Sequence, residues 1–168
     1  MKRVCKLTLG TLGVLCLGVV LSAGAVCAQT VQDLAGTWTV VSATTEKDGN
    51  KSDTFGPNPQ GILIVDANGR YVLTIVRAGL PKVASNNRTT GTPEENKVIV
   101  GGSLFHFGTV AVNAADKTLT FKIETSSFPN WDGIEQKRPF TVTGDELKFT
   151  APAASGGGTL TAVWKRAK

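Results

Sequence analysis

Cysteine is absent from the sequence after residue 28. All three cysteines, Cys5, Cys16 and Cys27, lie in the N-terminal segment, so residues 29–168 can form neither a disulfide nor a thiolate metal site. Histidine is nearly absent as well: His106 is the single one, which is too few for a structural zinc site. A hydrophobic core alone must therefore hold this region together. No metal or other cofactor is predicted.

Residues 7–20 lack charge of either sign. This apolar run follows a basic start with Lys2, Arg3 and Lys6, an arrangement typical of a secretory signal peptide. The run is too short, and has the wrong flanking residues, for a membrane-spanning helix. We predict a signal peptide over residues 1–28 and a periplasmic or secreted protein comprising residues 29–168.

A large excess of positive charge is also lacking once the signal peptide is set aside. The whole chain has 18 Lys and Arg against 13 Asp and Glu, and removing the three basic residues at positions 2, 3 and 6 leaves 15 against 13. The remaining lysines and arginines do not form the basic clusters typical of nucleic-acid surfaces. We therefore predict no nucleic-acid partner, and no membrane span in the mature chain.

Short alternating runs separated by turn residues dominate the rest of the sequence. One example is the pair of runs joined by Asn68-Gly69, a strong hairpin signal. Eight strands are predicted, at residues 37–44, 61–66, 70–77, 103–112, 118–125, 138–143, 146–150 and 159–166. Such an all-β chain can close into an eight-stranded antiparallel up-and-down barrel, with a flat sandwich as the alternative.

One segment interrupts the strand pattern before the fourth strand. Thr92 can cap a helix, Pro93 suits its first turn, and Glu95 lies three residues after the cap. These signals predict a short helix over residues 92–100. The β-branched residues of this segment favour an early start of the next strand instead.

Alternation also predicts which side chains face the interior. Leu119, Phe121 and Ile123 alternate with polar residues and so share an inward face. The same rule directs further residues inward: Tyr71, Leu73, Ile75 and Arg77; Leu104, His106, Val110 and Val112; Arg138 with Phe140 and Val142; and Arg166 with Trp164 and Leu160. The single histidine, the single tyrosine and three arginines are thus predicted on apolar faces.

Several motifs resemble known barrel families. Gly36-Thr37-Trp38 at the first strand and Arg166 at the last resemble the lipocalins and their relatives, in which the first-strand tryptophan packs beneath a basic side chain. The segments FGPNPQGILIVDANGRYVLTI, GTPEENKV, HFGTVAV, SSFPNWDGIEQKRPF and GDELKFT resemble, in this order, the bacterial lipocalin-like domain family. The resemblance covers nearly all of residues 34–166. It implies a lipocalin-like barrel, with Trp38 and Arg166 in a structural, barrel-closing role.

The stretch between the fifth and sixth predicted strands combines loop composition with two large aromatics, Phe128 and Trp131. These side chains would either border a ligand at the barrel mouth or form a small cluster beneath the loop. Arg138 would point into the barrel just below them, where a guanidinium needs a partner. That partner is either an acidic side chain, Glu135 and Asp132 being nearest in sequence, or a ligand anion.

These features predict a protein, favoured as a monomer, that binds a small apolar or amphipathic molecule. Arg77, Arg138 and His106 favour an anionic or hydrogen-bonding head group. The candidate ligand-binding residues are Tyr71, Leu73, Ile75, Arg77, His106, Phe121, Ile123, Phe128, Trp131 and Arg138. Two alternatives stay open. One is a cofactor-independent cyclase or isomerase that uses His106 and Tyr71 as acid and base. The other is a protein-interaction or inhibitor module with a filled interior.

The mature protein is expected to begin at Gln29. Val26 and Ala28 are small residues at the two positions that a signal peptidase reads, and Cys27 lacks the preceding residues of a lipoprotein signal. Intact-mass measurement of the exported protein checks this directly. A diacylglyceryl group on Cys27 would contradict the prediction.

Overall fold

A computed structural model describes residues 30–168, so the predicted signal peptide and its junction with Gln29 lie outside the described residues. A one-turn helix α1 (Val31–Leu34) comes first, and a longer helix α2 (Pro93–Gly101) and a 3₁₀ helix (Pro129–Trp131) come later. The strands are β1 (Gly36–Lys47), β2 (Asn50–Asp53), β3 (Gln60–Val65), β4 (Arg70–Val76), β5 (Ser103–Asn113), β6 (Thr118–Ser126), β7 (Glu135–Thr143), β8 (Glu146–Ala151) and β9 (Thr159–Arg166).

Eight of these strands form a closed antiparallel barrel. From β3 onwards each strand pairs with the next, β3 also pairs with β1, and β9 returns to pair with β1. The predicted eight-stranded barrel is therefore confirmed, as is the short helix before its fourth strand, β5. The extra strand β2 pairs only with β1 and extends it as a hairpin. It was not predicted because its four residues are all polar and exposed, so they carry no alternation.

The inward faces follow the predicted alternation. Leu119, Phe121 and Ile123 are buried in the barrel core, together with Leu73 and Ile75. Two β-bulges then change the phase of the alternation, because an extra residue turns the following side chains to the other face. One bulge places Val41 of β1 outside the register, and the other leaves Glu124 of β6 without a partner in β5.

One end of the barrel is closed by Trp38, which is fully buried. Its indole Nε1 donates a hydrogen bond to the carbonyl of Leu34 at 2.9 Å. The Arg166 guanidinium lies 4.1 Å from the centre of the Trp38 ring and donates to the carbonyls of Ala35 and Asp33 at 2.8 and 2.7 Å. These carbonyls lie at the end of α1, where helical carbonyls have no partner within the helix. The last strand is thereby tied to the first helix.

The opposite end is the barrel mouth. It is formed by the β1–β2 hairpin, the β4–β5 connection with α2, the β6–β7 connection, and the β8–β9 loop. Helix α2 begins with the predicted capping box: Thr92 Oγ1 accepts from the Glu95 amide, and the Glu95 carboxylate accepts from the Thr92 amide. No helix within residues 30–168 is long and apolar enough to cross a membrane.

Replacing Trp38 with alanine is expected to lower the free energy of unfolding by about 3–5 kcal/mol, the usual cost of emptying a large aromatic site in a core. Arg166 would also lose the ring on which it stacks. Urea unfolding measures the change. Phe105→Ala is a control, because Phe105 is 47% exposed and surface substitutions usually change stability by only about 0.5 kcal/mol. A Trp38→Ala midpoint equal to that of the wild type would refute the closing role.

Candidate ligand-binding site

A cavity of about 380 Å³ lies inside the barrel at its mouth. This volume is at the small end of the roughly 300–1,000 Å³ typical of ligand sites. Its walls include apolar side chains from four barrel strands, namely Leu73, Ile75, Leu104, Phe149, Ala151, Leu160 and Ala162. Two buried polar side chains, His106 and Arg138, complete the inner wall. The cavity therefore offers mostly apolar contacts with polar groups at defined points.

Arg138 projects inward from β7 and is only 3% exposed. Its guanidinium lies against two aromatic faces, 4.5 Å from the ring centre of Phe121 and 5.3 Å from that of Phe149. Its Nη2 donates to Oε1 of Gln136 at 2.6 Å, whereas its Nε has no hydrogen-bond partner among the described residues. Burial lowers the pKa of Arg138 to about 10, so the side chain remains charged at neutral pH.

The acidic partners considered from the sequence do not pair with Arg138. Glu135 is three residues away along a strand, so it lies on the opposite, outward face and is exposed. Asp132 instead accepts a hydrogen bond from the Ser126 amide at 2.7 Å. Within residues 30–168, no carboxylate forms an ion pair with Arg138. Of the two partners considered from the sequence, the acidic side chain is therefore not observed, and the neutral amide of Gln136 takes its place.

His106 is fully buried beside Arg138 and is held by Tyr71. The Tyr71 hydroxyl and His106 Nδ1 are 2.8 Å apart, and both rings pack edge-on against Phe121. Burial, reinforced by the positive charge of Arg138, lowers the pKa of His106 to about 3. Burial raises the pKa of Tyr71. Both side chains are therefore neutral at physiological pH.

Hydrogen-bond accounting favours one tautomer of His106. If Tyr71 donates to Nδ1, the ring proton sits on Nε2, and only that N–H lacks a partner among the described residues. The reverse arrangement would leave both the Tyr71 hydroxyl proton and the Nε2 lone pair unpaired, at a higher cost for buried groups. Two cavity-lining residues, His106 and Arg138, therefore each carry a buried N–H donor without a partner among the described residues.

The structure brings six of the predicted ligand-binding residues to the cavity and leaves four outside its lining. Those that line it are Leu73, Ile75, Arg77, His106, Trp131 and Arg138. Tyr71, Phe121 and Ile123 lie in the buried core, and Phe128 packs edge-on against Trp131 at 5.6 Å.

Arg77 was predicted to face inward and is exposed instead. It follows the last residue of β4, so its side chain lies at the rim of the mouth, where it donates to the carbonyl of Thr54 at 3.2 Å.

Two important residues were not singled out from the sequence. Phe149 lines the cavity and packs against Arg138. It shares a strand face with the apolar residues Leu147 and Ala151, so alternation along β8 would have placed it inward. Gln136 shares the face of Arg138 two residues earlier on β7, so the same rule would have found it. No group of three or more metal-ligating side chains occurs within the part of the chain that the structure describes.

The lipocalin-like domain family matches residues 35–167, and the chain belongs to this family. The closed barrel and its internal cavity agree with this assignment, and a barrel of this kind fits a role in binding small molecules. A comparison with curated proteins gives no significant match.

The burial of His106 predicts a specific loss of stability in acid. Because the pKa of His106 is lowered to about 3 in the folded protein, the unfolded chain, with a histidine pKa of about 6.5, binds the proton first as the pH falls. The free energy of unfolding therefore contains the full contribution of neutral His106 above pH 6.5, and this contribution is lost as the pH falls towards 3. At pH 5 the loss amounts to about 2 kcal/mol.

Urea unfolding of the wild type and of His106→Gln at pH 7.5 and pH 5 tests this prediction. Titration of the carboxylates affects both proteins, so the difference between their pH dependences isolates His106. The wild type should lose about 2 kcal/mol more than the variant. Equal losses would show that His106 can be protonated within the fold.

Proposed function

We propose that this protein binds a compact amphipathic molecule whose anionic group lies against Arg138 inside the barrel. One observation carries the proposal: Arg138 is buried and charged, lines an apolar cavity, and pairs with no carboxylate of the described residues. A bound carboxylate, sulfonate or phenolate would supply the missing negative charge. Charge-assisted hydrogen bonds of this kind are about twice as strong as neutral ones.

The donors of the site suit an oxygen anion. Arg138 Nε–H and His106 Nε2–H belong to cavity-lining residues and lack partners among the described residues. Both donate in the neutral pH range, because the arginine is charged and the histidine carries its proton on Nε2. The charge of Arg138 would attract an acidic oxygen, whereas it would repel an amine or another cation.

The remaining walls select for size and polarity. The cavity of about 380 Å³ is lined by Leu73, Ile75 and Phe149 around the polar groups, which suits a compact aromatic or alicyclic acid better than a long acyl chain. Lys47 and Arg77 at the mouth outnumber Asp53, and such a field favours the approach of anions.

Two other functions fit these observations less well. A cyclase or isomerase would need acid and base groups that titrate near neutral pH, whereas the pKa of His106 is lowered to about 3 and that of Tyr71 is raised. An interaction module with a filled interior conflicts with the cavity of about 380 Å³. The signal-peptide pattern of residues 1–28 supports the further proposal that binding takes place in the periplasm or outside the cell.

The decisive test compares Arg138→Met with Arg77→Met, because both variants remove one positive charge from the same cavity. The probe is 1-anilinonaphthalene-8-sulfonate, a compact aromatic anion that fluoresces in apolar sites. Arg138→Met should weaken its binding by roughly 2–5 kcal/mol, as for other truncated buried charge pairs. Arg77→Met should have a much smaller effect, since Arg77 is exposed.

Two controls separate the charge effect from damage to the fold. N-phenyl-1-naphthylamine is the same probe without the sulfonate, so Arg138→Met should bind it as well as the wild type does. The unliganded variant should be as stable as the wild type or more stable, because methionine fills similar space without a buried charge. Wild-type protein that does not bind the sulfonate, or equal binding by Arg138→Met, would refute the anionic ligand.

A further inference from the structure

The barrel wall is open between β7 and β8 at the mouth end. Pairing of these strands stops at Phe140 and Phe149. Strand β7 nevertheless begins at Glu135 and stays paired with β6, while β8 continues to Ala151 and stays paired with β9. Two well-formed strands therefore separate while each keeps its other neighbour.

Two prolines explain the separation. The Phe140 amide donates to the Lys117 carbonyl on the β6 side, so the neighbouring Pro139 faces β8, where it has no N–H to donate. Continuing the register of β7 and β8 would place Lys137 opposite Pro152, which lacks an N–H as well. The hydrogen-bonded pairing of β7 with β8 could extend towards the mouth at Pro139 and at Pro152, and each of these residues lacks the N–H donor that the pairing needs.

A groove of about 320 Å³ occupies the gap on the outside of the barrel. Trp131, Arg138 and Ala151 line both this groove and the inner cavity. These three side chains form the partition between the two spaces. Gln136, the hydrogen-bond partner of Arg138, lines the groove alone.

We infer that this groove is a side entrance through which an anionic ligand reaches Arg138; the identity of the ligand rests on the proposed function. The groove is lined near its start by an exposed apolar side chain, Ile134, and by the opposite charges of Lys137 and Glu135, and Arg138 lies in its inner wall. Lys137 offsets the charge of Glu135 at the start, so the uncompensated charge along the groove is that of Arg138, which attracts an amphipathic acid inwards. Replacing the Gln136 contact by the ligand anion brings the anion into the cavity.

Two adjacent alanines provide a matched pair of blocking variants. Ala153 lines only the groove, and Ala154 lines only the inner cavity at the mouth. Ala153→Phe should obstruct the side entrance, and Ala154→Phe should narrow the mouth. Ser155→Phe is a second mouth variant at an exposed position, in case Ala154→Phe folds poorly.

The first measurement needs no ligand. Iodide quenches tryptophan fluorescence on contact, and Trp131 is 8% exposed whereas Trp38 and Trp164 are fully buried. Iodide quenching of the unliganded protein therefore reports the access of a small anion to the partition. Ala153→Phe should lower the quenching constant severalfold, and the mouth variants should leave it close to the wild-type value.

The second measurement is stopped-flow binding of 1-anilinonaphthalene-8-sulfonate. Ala153→Phe should slow association and dissociation by a similar factor, roughly tenfold, with little change in Kd, since a blocked path alters both rates. Mouth variants that slow binding more than Ala153→Phe, or equal effects of both classes, would overturn the side entrance. Failure of the wild type to bind this probe would refute the proposed function instead, and iodide access would then decide the entrance alone.

Discussion

Transferring a guanidinium from water into an apolar interior costs several kcal/mol unless other groups replace its hydration. Arg138 recovers only part of this cost: one hydrogen bond to Gln136 and the faces of Phe121 and Phe149. Cation–π contacts contribute about 2 kcal/mol or more when desolvated, and a neutral amide gives less than a carboxylate would. The barrel thus holds a charge that is partly compensated and directed at a cavity. A structural salt bridge at this position would satisfy the arginine and leave nothing for a ligand.

Arg166 shows the contrasting solution at the closed end. It too lies over an aromatic ring, that of Trp38, but two backbone carbonyls at the end of α1 accept its hydrogen bonds. It is half-buried and its donors are used for closure. Two arginines stacked on aromatics therefore serve different ends of one barrel, and the difference lies in their partners. The backbone carbonyls of Asp33 and Ala35 hold Arg166 in place and stabilise the closed end. Arg138 has an N–H donor without a partner among the described residues, which leaves it available for the proposed ligand.

Alternation made the barrel and the inward position of Arg138 predictable, because a strand gives each side chain a face from sequence alone. It does not give distances across the barrel, so the rings that enclose Arg138 were beyond its reach. The alternative that Glu135 pairs with Arg138 neglected the same alternation, which places Glu135, three residues before Arg138 on β7, on the outward face. Arg77 had the correct parity but lies beyond the end of β4, where a side chain turns to solvent. Prediction of inward-facing side chains from alternation is therefore limited by bulges and strand ends, because these depend on how the strands pair in the folded protein.

For the proposed anionic ligand, the neutral state of His106 would couple binding to protonation. Burial and the charge of Arg138 both lower its pKa, and an anion between the two side chains would oppose the second of these effects. The pKa of His106 must then rise when the anion binds, and by linkage the affinity for the anion must increase as the pH falls towards that pKa. The negative charge of the proposed ligand sets the direction of this coupling, and the hydrogen bond between Tyr71 and Nδ1 keeps the ring proton of neutral His106 on Nε2. One fixed charge and one neutral donor would thus suit the proposed anion at neutral pH without a second buried charge.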